Sequence, residues 1–177
     1  MFTKWLPSGL KKGREFASDN HGATAVEFGI ISTAFFIILM GIFEVGALLL
    51  IQTTLETVVL QVSRYGRTGS TVSGQTPAQV AAGLVDQYGF GLVNPANVVL
   101  TVTPYANFSA MPTNAQVVSN GGNTGTQNYG TSNAPVLYTL TYNWTFFTPL
   151  LGKIFSPSTG SVTLISSSIV QNEPFGS

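Results

Sequence analysis

Between Phe28 and Ile51 the chain is one apolar stretch, interrupted only by Ser32, Thr33, Glu44 and the glycines Gly29, Gly41 and Gly46. As a helix rising about 1.5 Å per residue it is about 36 Å long, enough to cross a hydrocarbon layer about 30 Å thick once. The helical pattern continues beyond it. Leu55, Val58, Val59 and Val62 recur at the i, i+3, i+4, i+7 spacing of one helix face, and Gly66 just after them predicts the stop. The expected element is a single helix on the order of 65 Å long. Its second half leaves the bilayer carrying an apolar stripe that needs something to pack against.

The rest of the chain supplies that partner. After a Gly/Ser/Thr-rich linker from Gly66 to Gly74, Thr76-Pro77-Ala78-Gln79 has the pattern of a capping box with proline at the first helical position. Val80, Leu84, Val85 and Tyr88 then form a stripe before Gly89, which predicts a second, short helix. Three strand signals follow: Val98 to Thr103, Val136 to Phe146, and Val162 to Val170. The middle one is the clearest. Val136, Tyr138, Leu140, Tyr142, Trp144 and Phe146 alternate with Leu137, Thr139, Thr141, Asn143 and Thr145, giving one bulky face and one rich in hydroxyls. Packed on the amphipathic half of the long helix, such strands make a small antiparallel sheet in an α+β head. The expected organisation is a leader over 1–22, a membrane helix with its extension over 23–66, and a head over 67–177. A mobile loop over 105–135 is expected to include the Asn/Gly/Thr-rich run from Ser119 to Asn133, which is too polar to form a core.

Charge is scarce and balanced, 7 Lys and Arg against 7 Asp and Glu, so no basic patch is available for nucleic acid. Cysteine is absent, which leaves the fold indifferent to redox and excludes a lipid-modified cysteine as anchor. Beyond Arg67 the charged side chains are Asp86, Lys153 and Glu173, with no His. General acid/base, nucleophilic and metal chemistry all need clustered groups that this inventory lacks, so neither an enzyme nor a cofactor is expected. His21 stands alone in the leader and is read as a neutral spacer. The aromatic face of the middle strand is read as core.

Lys4, Lys11, Lys12 and Arg14 precede the apolar run, and only Arg64 and Arg67 follow within reach, so the N-terminus is expected on the cytoplasmic side. A secretory signal peptide does not fit, because its apolar stretch is only about 7–15 residues and its small-residue cleavage site comes after that stretch. Here the small residues, Gly22-Ala23, come before it. Glu27 stands at the mouth of the run, where a carboxylate costs roughly 2.5–3.5 kcal/mol at bilayer depth and so requires a partner or a task. Glu44, seventeen residues on, falls on another face of the helix, turned by about 260°. Two readings of Glu44 stay open: a side chain at the outer interface, or a contact to a partner helix.

A basic leader ending in Gly22, a small residue at Ala23 and Glu27 as the fifth residue after that bond resemble the prepilin cleavage motif of type IV pilins. More closely, GATAVEFGII with GIFEVGALLLIQTTLE and SRYGR resembles the TadE-like family, which accompanies the tight-adherence (Tad, or Flp) pilus. VTLISSSIVQNEPF is a fainter likeness to that family's closing strand, and Thr33-Ala34 stands where many relatives carry a proline. The resemblance implies a minor pilin or pilus-assembly subunit in a bacterial inner membrane, with the head in the periplasm. It also implies a prepilin peptidase that cuts between Gly22 and Ala23, and other pilins or Tad assembly proteins as partners. Glu27 is then an assembly contact: a freed Ala23 amine lies at the same membrane depth, and pairing the two charges rewards assembly. The competing expectation is an uncleaved single-pass anchor carrying a periplasmic binding or adhesion module.

Overall fold

The computed structural model describes residues 20–68, 74–119, 122 and 127–174. The expected leader up to residue 19, linker residues 69–73, and positions 120–121 and 123–126 of the polar run lie outside these residues. The chain divides into two compact units, Met1–Ile42 and Phe43–Ser177.

Helix α1 runs unbroken over Asn20–Arg67, 48 residues. Up to Ile42 its apolar side chains are turned outward, among them Val26, Phe28, Ile30, Ile31, Phe35, Phe36 and Ile38. A helix this long and apolar that buries so little of its first half meets the requirements of a membrane span by length and composition. Ser32 and Thr33 are accommodated in that stretch because each hydroxyl donates to the carbonyl of Gly29, at 3.1 and 2.8 Å.

Beyond Phe43 the same helix packs, with Glu44 buried and Ala47 and Leu48 the first apolar side chains to meet the core. Ile51, Leu55, Val58, Val59 and Val62 are buried, so the stripe expected from the spacing is the face used. Against it lie Val136, Tyr138, Leu140, Tyr142 and Trp144 of β2 (Pro135–Thr145). Strand β1 (Val98–Pro104) adds Leu100 and Val102, and α2 (Pro77–Tyr88) adds Val80, Ala81 and Val85. With β3 (Ser161–Gln171) the strands form an antiparallel sheet in the order β1-β2-β3, in which Leu100 pairs with Leu140 and Tyr142 with Leu164. The α+β class and the three strands thus follow the expectation closely. So does the capping box of α2: the Thr76 N–H donates to Gln79 Oε1 at 2.8 Å, and the Gln79 N–H donates to Thr76 Oγ1 at 3.3 Å.

The predicted helix stop is displaced by a residue, and its glycine has another purpose. Helix α1 passes through Gly66 to Arg67. A Cβ on Gly66 would lie 1.8 Å from Tyr138 Oη and 2.6 Å from Tyr129 Cδ1, so this residue lets two tyrosine rings reach the helix backbone. The helix end is then tied down by the closing segment: Glu173 N–H donates to Arg67 O at 2.9 Å, and the two side chains form an exposed ion pair at 3.1 Å.

Two short helices go beyond the sequence expectation, α3 (Asn114–Ser119) between β1 and β2 and α4 (Pro149–Phe155) between β2 and β3. Within 105–135, Val117 of α3 and Gly122 are buried. Gly122 (φ +75°) sits so close to the hydroxyl-rich face that a Cβ would overlap Thr141 Cγ2 at 2.1 Å. Further on, Gln127 bridges to Val102 beside β1 and donates from Nε2 to Leu100 O at 2.6 Å. This stretch therefore covers Thr101, Leu137 and Thr139, which are buried on the face away from α1.

Candidate functional site

The residues singled out by the sequence all lie on α1. Gly22 and Ala23 belong to its first turn, and both are exposed. A Cβ on Gly22 would meet nothing within 4 Å, so among the described residues no packing demand accounts for a residue that costs a helix about 1 kcal/mol relative to Ala. Glu27 is one turn beyond Ala23, and the i, i+4 spacing places them on the same helix face. Its side chain is exposed among outward-facing Val26, Phe28, Ile30 and Ile31. Among the described residues, no hydrogen bond or ion pair is made to it.

Glu44 is placed quite differently. Its side chain is only 3% exposed, and its two carboxylate oxygens accept backbone N–H groups from across the head. Phe147 N–H donates to Oε1, and Thr148 N–H donates to Oε2 at 3.1 Å. Thr148 is the N-cap of α4, whose own side chain makes no capping hydrogen bond and whose first helical position is Pro149. A carboxylate at that place satisfies donors that the helix start leaves open and sits favourably at the positive end of a helix. Of the polar side chains within the apolar run, Ser32, Thr33 and Glu44 are thus each satisfied within the chain.

The partnership of Glu44 with Phe147 and Thr148 spans more than a hundred residues, and no spacing along the chain announces it. The available signal was Thr148-Pro149, the opening of a short helix in need of an acceptor.

The charged groups of the head are dispersed. Asp86 is exposed on α2, Lys153 is exposed on α4, and Glu173 is engaged with Arg67. Among the described residues, no three His, Cys, Asp or Glu side chains gather where a metal ion would sit. Two tyrosines are electrostatically perturbed. Burial raises the Tyr138 phenol well above its usual range, with the nearby Tyr129 adding to the effect, and burial also raises Tyr129. Tyr138 Oη is buried with no hydrogen-bond partner, so the neutral form is the one this core tolerates.

No curated protein and no solved structure matches the chain. Residues 22–64 match the family model described as TadE-like protein, a pilus-related family and not one of enzymes. The match does not reach the closing strand or any other part of the sheet. The TadE-like resemblance holds over the helix that carries Gly22, Ala23, Glu27 and Glu44.

Proposed function

We propose that the chain is a minor pilin or pilus-assembly subunit of a Tad pilus, anchored in the bacterial inner membrane by α1 and matured by a prepilin peptidase between Gly22 and Ala23. Residues 1–22 are then a cytoplasmic leader, 23–66 the membrane helix with its periplasmic extension, and 67–177 the periplasmic head. The observation that carries this reading is Glu27. The other polar interruptions of the apolar helix are satisfied by their own chain, whereas this carboxylate has no hydrogen-bond or ion-pair partner among the described residues and is surrounded by outward-facing apolar side chains.

Cleavage after Gly22 supplies the missing partner. The new α-amino group of Ala23 is a cation one helical turn from Glu27, free to meet the carboxylate of its own or a neighbouring subunit. Either charge alone is costly at membrane depth, and the pair is less so, which makes assembly favourable and fixes the register of adjacent helices. The bond to be cut lies in the first turn of α1, where N–H groups lack intrahelical acceptors and opening is cheap. Glycine before the bond adds freedom and removes bulk from the peptidase's path.

The test is Glu27→Gln, which removes charge with little change of shape. The chain is expected to be processed normally yet remain in the inner membrane instead of entering the pilus or its assembly complex. Breaking a buried pair costs about 3–5 kcal/mol, and even the lower end shifts an assembly equilibrium by roughly a hundredfold. Sheared pili and membranes are separated and blotted for the chain. If the Gln variant partitions like the wild type, Glu27 is an interfacial residue and the pairing argument fails.

A further inference from the structure

The head exposes an apolar cluster at the edge of its core, where Phe147 meets the buried Trp144 edge-on at 4.7 Å and Phe155 stacks on Phe146 at 5.7 Å, yet much of each side chain stays outside. Phe147 is 70% exposed, Leu150 47%, Ile154 62% and Phe155 65%, all on α4 or the residues leading into it. Leu150 and Ile154 are one helical turn apart, and Lys153 is the only charged residue among them. A patch of this kind on a small polar domain calls for an occupant.

Its position along α1 identifies one. Glu44 holds the backbone of Phe147 and Thr148, so α4 is fixed at the level of residue 44. Helix α1 needs about 20 residues to cross a hydrocarbon layer about 30 Å thick. Counted from Phe28, the first residue past Glu27, the far side of that layer falls near Ala47 and Leu48. Those are the residues at which α1 begins to pack against the core of the head. An element held at residue 44 is therefore at the boundary or just inside it, beside the outward-facing Phe43, Val45 and Leu49 of the same helix. Backbone donors at that depth need an acceptor, which Glu44 provides, and side chains there must be apolar, as Phe147, Leu150, Ile154 and Phe155 are. Lys153 has a stem long enough to hold its ammonium out among anionic headgroups.

We propose that α4 is a second membrane contact, a short interfacial helix that inserts Phe147, Leu150, Ile154 and Phe155 into the leaflet from which α1 emerges. It seats the head on the bilayer surface, and Glu44 is its positioning residue. This inference rests on α1 spanning the membrane but not on cleavage at Gly22-Ala23.

Because the chain has no cysteine, single spin labels are unambiguous. Ile154→Cys, Phe36→Cys and Ile169→Cys, all at exposed positions, are labelled separately in the full chain and reconstituted into phosphatidylcholine/phosphatidylglycerol vesicles. Collision rates are then measured with oxygen, which partitions into lipid, and with a water-soluble nickel chelate. Ile169 neighbours Ser168, which meets Ser63 of α1, nineteen residues beyond Glu44, so it reports apolar exposure far from the bilayer. The label at 154 is expected to show an oxygen-to-nickel ratio several-fold above that at 169 and close to that at 36. If 154 follows 169 while 36 stays lipid-like, the head faces water there and the proposal is wrong. Shielding of 154 from both reagents means that protein covers the patch, which equally overturns it. A nickel-accessible label at 36 would remove the membrane span itself, and this inference with it.

Discussion

Replacing Glu44 with Ala asks whether that acid belongs to the head or to the assembly. In the structure its two oxygens accept the N–H groups of Phe147 and Thr148 in a nearly water-free position. Removing them leaves two adjacent, part-buried donors unpaired. At about 1–3 kcal/mol for a fully buried donor, and with part burial and non-additivity both lowering the sum, the loss is about 2–3 kcal/mol. A domain stable by about 5–15 kcal/mol survives this globally, but the loss falls first on α4, which Glu44 anchors. The only lysine after residue 12 is Lys153, inside α4, so a lysine-specific protease reads the opening of that helix by a single cut in the head. In detergent micelles the full chain with Glu44→Ala is expected to be cut there at least about thirtyfold faster than wild type, the factor that corresponds to 2 kcal/mol. Glu44→Gln keeps one acceptor oxygen and should fall between the two. Glu56→Ala, which loses only an exposed bond from Gln52, should stay within about 0.5 kcal/mol of wild type. If Glu44→Ala is cut at the wild-type rate, the carboxylate does not hold α4 and the placement argued above is wrong.

Other outcomes follow from the core and the helix end. Gly66→Ala gains about 1 kcal/mol of helix propensity, but its methyl would overlap the buried Tyr138 and the half-buried Tyr129, so the urea midpoint should fall despite that gain. Adding Tyr138→Phe, which removes the nearest overlapping atom, should restore part of the loss, and a stabilised Gly66→Ala chain would refute the contact. Tyr138 has its folded pKa raised, so its contribution is intact below the unfolded value near 10 and is lost progressively as pH rises above it. Stability measured across that range should fall more gently for Tyr138→Phe than for wild type.

Much of this architecture was legible because it rests on periodicity. The stripe Leu55, Val58, Val59, Val62 and the alternation from Val136 to Trp144 each carry their own burial pattern, and the two faces meet as the pattern required. Thr76-Pro77-Ala78-Gln79 was legible for a different reason, since a capping box is satisfied by residues three apart. What escaped depends on contacts between distant residues. Gly66 looks like a terminator in sequence and becomes a seat for Tyr138 only when the sheet folds back on the helix. Helix α4 is too short to show a period, and its stabilising acceptor is Glu44, on another element. The same limit governs the candidate site. Gly22, Ala23 and Glu27 are close in sequence, and their spacing carries the resemblance that the family match supports. Glu44 lay in view as a charge within an apolar run, but its partners did not.

The most direct test of the central claim is the intact mass of the chain extracted from membranes of cells that hold the Tad machinery. The account predicts a protein beginning at Ala23, and a full-length chain accumulating when Gly22→Leu places bulk before the bond. A wild-type chain that keeps residues 1–22, or a Leu variant that matures to the same mass, would contradict it and leave the uncleaved anchor as the better description.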